Sequence, residues 1–267
     1  MRNVRRRAKQ SSRRDRGSTV KRILFTFVAA LVLAQPVAGG AASTLPNQRI
    51  ERVELAKGAT STVIKGEVKG DAFVDYVLNA GAGQTLSVTL EPSNRSNYFN
   101  VDPPGTDGAM FIGNISGNVF KGVLPTDGEY GIRVYLMRNA ARRNESSRYT
   151  LSIAVTGSPL APVPASNDAV IAGTPFHASA KISCAQSINA NIRECEAFVI
   201  RRGSDGTATV EVRWPDGSQR RILFVKGNAV SSDAPETLST ERKGDVTSVR
   251  LGTLERFEIP DALVRGG

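Results

Sequence analysis

Residues 130–136, YGIRVYL, decide the fold, because large apolar side chains alternate there with small or polar ones. The first, third, fifth and seventh residues would point to one side of an extended chain, which is typical of a strand with one buried face. The same period of two recurs in residues 86–90 and 149–155. Further strands are predicted at residues 52–55, 62–68, 73–78 and 119–123.

Turn-forming residues separate these strands, at Gly81-Ala82-Gly83, Pro103-Pro104-Gly105 and Asp127-Gly128. Glycine and proline supply the backbone angles that tight turns require. Short, evenly spaced strands without a helical period predict an all-β fold, and for residues 49–157 an antiparallel β-sandwich.

A second module follows a change in composition. Residues 158–166, SPLAPVPAS, contain three prolines, which favour an extended linker over a strand. In residues 167–267 we expect a small β-meander or roll, because residues 208–214 alternate, a Pro-Asp-Gly turn follows, and residues 221–225 return as a strand.

The two cysteines, Cys184 and Cys195, both lie in this second module. An even number of cysteines in an exported chain favours a disulfide, and a metal site would need more ligands nearby. The short loop that the disulfide closes predicts a stabilisation of about 3 kcal/mol.

The net charge of +10 is concentrated at the N-terminus. Ten of the 35 Lys and Arg residues and one of the 25 acids fall in residues 1–42, so the remainder is almost neutral. A neutral body lacks the broad positive field of a nucleic-acid-binding protein, and no nucleic-acid partner is expected.

Residues 23–34, ILFTFVAALVLA, form an uninterrupted apolar run preceded by Lys21-Arg22 and followed by small residues up to Ala42. The run suits the core of a signal peptide and is too short to span a bilayer. We therefore predict a cleavable signal peptide in residues 1–42, export, and no membrane span in the mature chain. Translation starting at Val20 would give an ordinary leader, and a twin-arginine signal at Arg13-Arg14 is the alternative.

Catalytic chemistry finds little support in the sequence. The single histidine, His177, could act as a catalytic base only beside a nucleophile, and the sequence contains no Gly-x-Ser-x-Gly nucleophile motif. It also contains no phosphate-binding glycine loop and no dinucleotide fingerprint. A glycosidase-like pair of carboxylates remains open, although no acids form a recognisable constellation. We predict that the chain is not an enzyme and has no catalytic residue, metal or cofactor.

Residues 138–145, RNAARRNE, are the unusual segment, because Arg138, Arg142 and Arg143 crowd a connection between two predicted strands. They would form either an ordinary solvated loop or a guanidinium cluster that clamps carboxylates in bidentate fashion. Arg133 would project from the preceding strand.

Three motifs carry a resemblance to a known family: residues 65–70 (KGEVKG), 124–134 (LPTDGEYGIRV) and 138–144 (RNAARRN). Together they resemble the bacterial periplasmic inhibitors of g-type (goose-type) lysozyme, over about residues 50–156. The resemblance implies a β-sandwich that pushes a loop into the substrate cleft of the lysozyme.

The same resemblance implies roles for individual residues. The two loop arginines of the family fall on Arg138 and Arg142, and Asn139 and Arg143 belong to the same motif. A tyrosine follows the Gly-Glu-x-Lys-Gly motif in the family, whereas Asp71 stands there in this chain. An acid in place of an aromatic anchor is expected to weaken contact with an acidic cleft.

The second module carries its own set of motifs: Cys184, Arg193-x-Cys195, Arg201-Arg202-Gly203, Ala208-Thr209-Val210, Trp214-Pro215-Asp216-Gly217 and Phe257-Glu258-Ile259-Pro260-Asp261-Ala262. With these it resembles a small C-terminal domain of exported proteobacterial proteins that has no established activity. The expected function is thus an exported, noncatalytic binding protein whose partner is a g-type lysozyme or another cell-wall-active protein. The alternative is a cell-envelope module that binds an anionic glycan or another envelope protein.

Overall fold

The computed structural model describes residues 47–106, 108–187 and 190–266, and the predicted signal peptide and start at Val20 lie outside them. These residues form two β-structures, one for each predicted module, within one compact unit, Ser43–Gly267. The all-β prediction is confirmed. Within the described residues, no helix is long and apolar enough to cross a membrane.

The first module is a sandwich of nine strands. The strands are β1 (Gln48–Arg52), β2 (Ser61–Lys69), β3 (Phe73–Ala80), β4 (Thr85–Pro92), β5 (Asn97–Asp102), β6 (Phe111–Ile112), β7 (Val119–Val123), β8 (Gly128–Leu136) and β9 (Ser146–Thr156). They form a five-stranded sheet, in the order β1-β3-β8-β5-β6, and a four-stranded sheet, in the order β2-β9-β4-β7. All strand pairs are antiparallel except β1 with β3, which is parallel. Two short helices, α1 (Gly113–Ser116) and α2 (Arg138–Arg142), interrupt them.

Alternate residues of the facing sheets fill the sandwich core. Tyr76, Phe99 and Tyr130 are fully buried there, and each large apolar side chain so buried contributes about 1.5–3 kcal/mol. The hydroxyl of Tyr130 donates to the carbonyl of Thr126 at 2.8 Å, which fixes the turn before β8.

The second module is one eight-stranded sheet that closes almost into a barrel. The strands are β10 (Ala178–Ala185), β11 (Arg193–Arg201), β12 (Ala208–Arg213), β13 (Gln219–Val225), β14 (Asn228–Ser232), β15 (Leu238–Lys243), β16 (Val246–Leu251) and β17 (Glu255–Pro260). Their order in the sheet is β14-β13-β12-β11-β10-β17-β16-β15. Two meanders, β10 to β14 and β15 to β17, join through the pairing of β10 with β17. A final helix, α3, spans Asp261–Arg265.

The predicted disulfide joins Cys184 on β10 to Cys195 on β11. Both cysteines are buried, and the 11-residue separation supports the stabilisation of about 3 kcal/mol expected from loop closure. Trp214 packs against Phe257 with ring centroids 5.3 Å apart, so the tryptophan is a core residue of this module.

Arg202 connects the two modules. Its side chain is 0% exposed, and its three nitrogens donate to Asp127 Oδ2 at 2.7 Å, to Thr209 Oγ1 at 2.9 Å and to the carbonyl of Leu160. Asp127 belongs to the sandwich and Thr209 to β12, so one buried guanidinium is bonded to both modules. Thr209 in turn donates to the carbonyl of Pro125 at 2.7 Å.

The stretch predicted as a linker, residues 158–166, is bonded to both modules as well. The amide of Leu160 donates to Ala82 in the sandwich, and the amide of Val163 donates to Arg201 at the end of β11, both at 2.8 Å. His177 accepts at Nδ1 from the amide of Arg201, which leaves Nε2 to donate to the carbonyl of Val163. This histidine therefore has a structural role.

Candidate functional site

Helix α2 connects β8 to β9 and carries the predicted arginine cluster. The sequence suggested a turn, but alanines favour a helix, and here Ala140 and Ala141 are buried against the sandwich core. The amide of Ala141 donates to the carbonyl of Met137 at 2.9 Å, closing the single helical turn. The segment is therefore fixed on the sandwich by its two alanines.

The polar residues of α2 point away from these alanines. Arg138, Asn139 and Arg142 are exposed, as is Arg143 just after the helix. Arg138 and Arg142 are four residues apart and so lie on the same helical face, where two like charges destabilise a helix slightly. Neither forms an ion pair within the described parts of the chain.

Arg143 differs from the other two arginines. Its Nε and Nη2 both lie 2.6 Å from Glu145 Oε1, so its charge is compensated locally. Glu145 also accepts from Asn94 Nδ2 at 2.8 Å, and the hydrogen bonds from Asn94 and then Arg143 lower the pKa of Glu145. The only acid of the segment is thus ionised and already engaged.

Asp71 lies beside α2, although the two are about 70 residues apart in sequence. It occupies the turn between β2 and β3, where Gly70 has a φ of 56° and its amide donates to the carbonyl of Glu145 at 2.9 Å. A Cβ on Gly70 would come within 2.8 Å of Asn144, so glycine permits this close approach. Asp71 itself is exposed.

Arg133 is not part of the exposed group formed by Arg138, Arg142 and Arg143. It donates from Nε and Nη2 to the two oxygens of Asp75, at 2.7 and 2.9 Å, and its guanidinium also stacks on Phe73 at 4.6 Å. The hydrogen bond to Asp75 raises the pKa of Arg133. This side chain is thus engaged within the sheet and does not join the loop arginines.

Two further exposed arginines at this end of the sandwich were not singled out by the sequence: Arg148, near the start of β9, and Arg95, in the turn between β4 and β5. The amide of Met137, directly before α2, donates to the carbonyl of Ser96 at 2.8 Å, which places the two segments side by side. A contact across some 40 residues leaves no local pattern in the sequence.

The second module does not cover these residues. It contacts the sandwich near Pro125 and Asp127, just before the first residue of β8, whereas α2 follows the last. The nine residues of β8 span about 30 Å. The arginine segment therefore lies at the far end of the strand from the junction. Within the described residues, no group of three or more His, Cys, Asp or Glu side chains could hold a metal.

No protein-family model matches the chain. A protein of Escherichia coli (strain K12), "Inhibitor of g-type lysozyme", is 30% identical over 106 residues, which cover 39% of this chain and 78% of the relative. The crystal structure of PliG from Aeromonas hydrophila, a periplasmic inhibitor of g-type lysozyme, is 34% identical with a TM-score of 0.37, over 41% of this chain and 98% of that one. PliG from Salmonella Typhimurium is 28% identical with a TM-score of 0.33, over 40% and 98%.

Proposed function

Since this chain belongs to the family of inhibitors of g-type lysozyme, we propose that it is an exported, noncatalytic protein that blocks such a lysozyme in the periplasm. The observation that carries the proposal is a pair of exposed guanidinium groups, on Arg138 and Arg142, without an acidic partner in the described residues. They project from one face of a helix that is packed on a sandwich.

The chemistry of the target supports this mechanism. Glycoside hydrolysis requires carboxyl groups in the substrate cleft, and a guanidinium matches a carboxylate in bidentate fashion. Arg138 and Arg142 would pair with such groups, and the loop would exclude the polysaccharide. Because the loop is packed through Ala140 and Ala141 beforehand, little conformational entropy would be lost on binding.

The direct test uses purified residues 43–267 with a g-type lysozyme and isolated cell walls. We expect micromolar protein to slow lysis and to bind the lysozyme in the absence of walls. Sedimenting the walls without lysozyme is the control, and the protein is expected to stay in the supernatant. Unimpaired lysis would overturn the proposal, and salt-sensitive sedimentation with the walls would favour the glycan-binding alternative.

Asp71 offers a second test, because it adds a negative charge beside the arginines. Asp71→Asn is expected to tighten lysozyme binding about twofold to fivefold, which corresponds to about 0.5–1 kcal/mol for an exposed charge. Titration calorimetry would measure the dissociation constant. Glu54→Gln removes an exposed acid at the other end of the sandwich and is expected to change nothing. Weaker binding by Asp71→Asn would mean that this acid contacts the target favourably.

A further inference from the structure

The turn between β4 and β5, residues 93–96, is bonded to residues 145–148, which follow α2 and begin β9. Asn94 Nδ2 donates to Glu145 Oε2 at 2.8 Å, and the amide of Asn94 donates to Ser147 Oγ at 3.2 Å. The amides of Ser93 and Arg148 are bonded reciprocally, to the carbonyl of Arg148 and to Ser93 Oγ, at 2.8 and 2.9 Å. These bonds therefore hold the turn beside the chain that leaves α2.

The strand register brings Arg95 to the start of α2. Asn97 on β5 pairs with Leu136 on β8, and the bond from Met137 to Ser96 continues that register by one residue. Arg95 and Arg138 are the next residues on the two chains. Arg95 lies in a turn that is closed by the bond from the amide of Asn97 to the carbonyl of Asn94, and Arg138 begins α2. Each arginine is therefore one residue away from the contact between Ser96 and Met137.

Arg95 is also uncompensated. It is exposed, and in the ranges that the structure describes it forms no ion pair. The nearest acid bonded to this turn, Glu145, already accepts from Asn94 and Arg143. Clustered like charges without a counter-charge destabilise a fold slightly, which is typical of a surface selected for binding rather than for stability.

We propose that Arg95 is a third guanidinium of the lysozyme-contacting surface, so that the surface comprises the β4–β5 turn as well as the α2 segment. This inference rests on the proposed function and extends it to a residue outside the arginine motif. Since Arg95 belongs to a separate turn beside the segment, it would act at the rim of the interface. Rim charges chiefly accelerate association, by steering a partner of opposite charge.

The test measures association and dissociation rates of residues 43–267 with immobilised g-type lysozyme at low and at moderate salt. Arg95→Ala is expected to weaken binding about threefold to tenfold, mainly in the association rate, and to flatten its salt dependence. Arg95→Glu is expected to weaken binding further. Arg193→Ala, which removes an exposed arginine from the second module, is the matched control. Thermal unfolding of every variant verifies that the fold is intact.

The outcomes separate the two proposals. A selective loss in the Arg95 variants, with the control unchanged, supports a third contacting arginine. If the Arg138→Ala/Arg142→Ala variant loses binding while both Arg95 variants match the control, the extension to Arg95 is overturned and the proposed function stands. If the unmodified protein does not bind the lysozyme, the proposed function fails and this extension fails with it.

Discussion

Replacing Arg138 and Arg142 together by alanine is expected to weaken lysozyme inhibition by about a thousandfold. Arginines at the centre of an interface typically cost 2 kcal/mol or more each when truncated, and about 4 kcal/mol corresponds to three decades in the dissociation constant. Both side chains are exposed and without ion pairs in the described residues, so they are not needed for the fold. The stability of the double variant should therefore stay within about 0.5 kcal/mol of the original.

Inhibition of cell-wall lysis across a range of protein concentrations measures this effect, with denaturant unfolding run in parallel. The control is again Arg193→Ala, which should inhibit like the unmodified protein. A double variant that inhibits normally would show that the binding surface lies elsewhere. A double variant that unfolds easily would show that the two arginines stabilise the fold.

Asp127→Ala is expected to destabilise the protein by about 3 kcal/mol. The substitution leaves the wholly buried guanidinium of Arg202 without its counter-charge, and breaking a buried pair from one side typically costs 3–5 kcal/mol. Arg202 still donates to Thr209 Oγ1 and to the carbonyl of Leu160, and Asp127 is 43% exposed, so the lower end of that range applies.

Urea unfolding measures the loss. The Asp127→Ala/Arg202→Met double variant is the informative comparison, because removing both charges avoids an unpaired buried ion and should recover part of the stability. A change below about 1 kcal/mol in Asp127→Ala would mean that the pair does not hold the junction. Lysozyme inhibition by the folded protein should be unchanged, because the arginine segment lies at the other end of β8.

Much of the fold could be predicted because period-two patterning is local. Strands β8, β9 and β4 coincide closely with the alternating runs, and the cysteine pair gave the disulfide. Strand β5 was missed although its core-facing residues alternate, since one of them is a polar residue, Asn97. Strand β10 was missed because alanine and serine give it a weak pattern. The strand predicted at residues 52–55 shares only Arg52 with β1, and β1 pairs in parallel with β3. Its position is set by that partner strand and not by a local pattern.

The candidate site was predictable only in part. The exposure of Arg138 and Arg142 follows from their charge. The ion pair that holds Arg133 away from them depends on Asp75, which lies 58 residues away in sequence. The proximity of Asp71 and Arg95 to α2 likewise depends on strand pairing. Charged residues that are distant in sequence can be recognised as neighbours only from the register of the sheets, and local sequence patterns do not contain that register.

Strand β8 separates the arginine segment, residues 138–145, from the junction between the two modules by about 30 Å. Substitutions at the two ends of this strand should therefore have additive effects on the free energy of unfolding. The proposed lysozyme-contacting surface could then diverge to match a changing target without any readjustment of the contacts that hold the second module. Conversely, a bulky fusion or a surface attachment made through that module would leave the arginines facing solution.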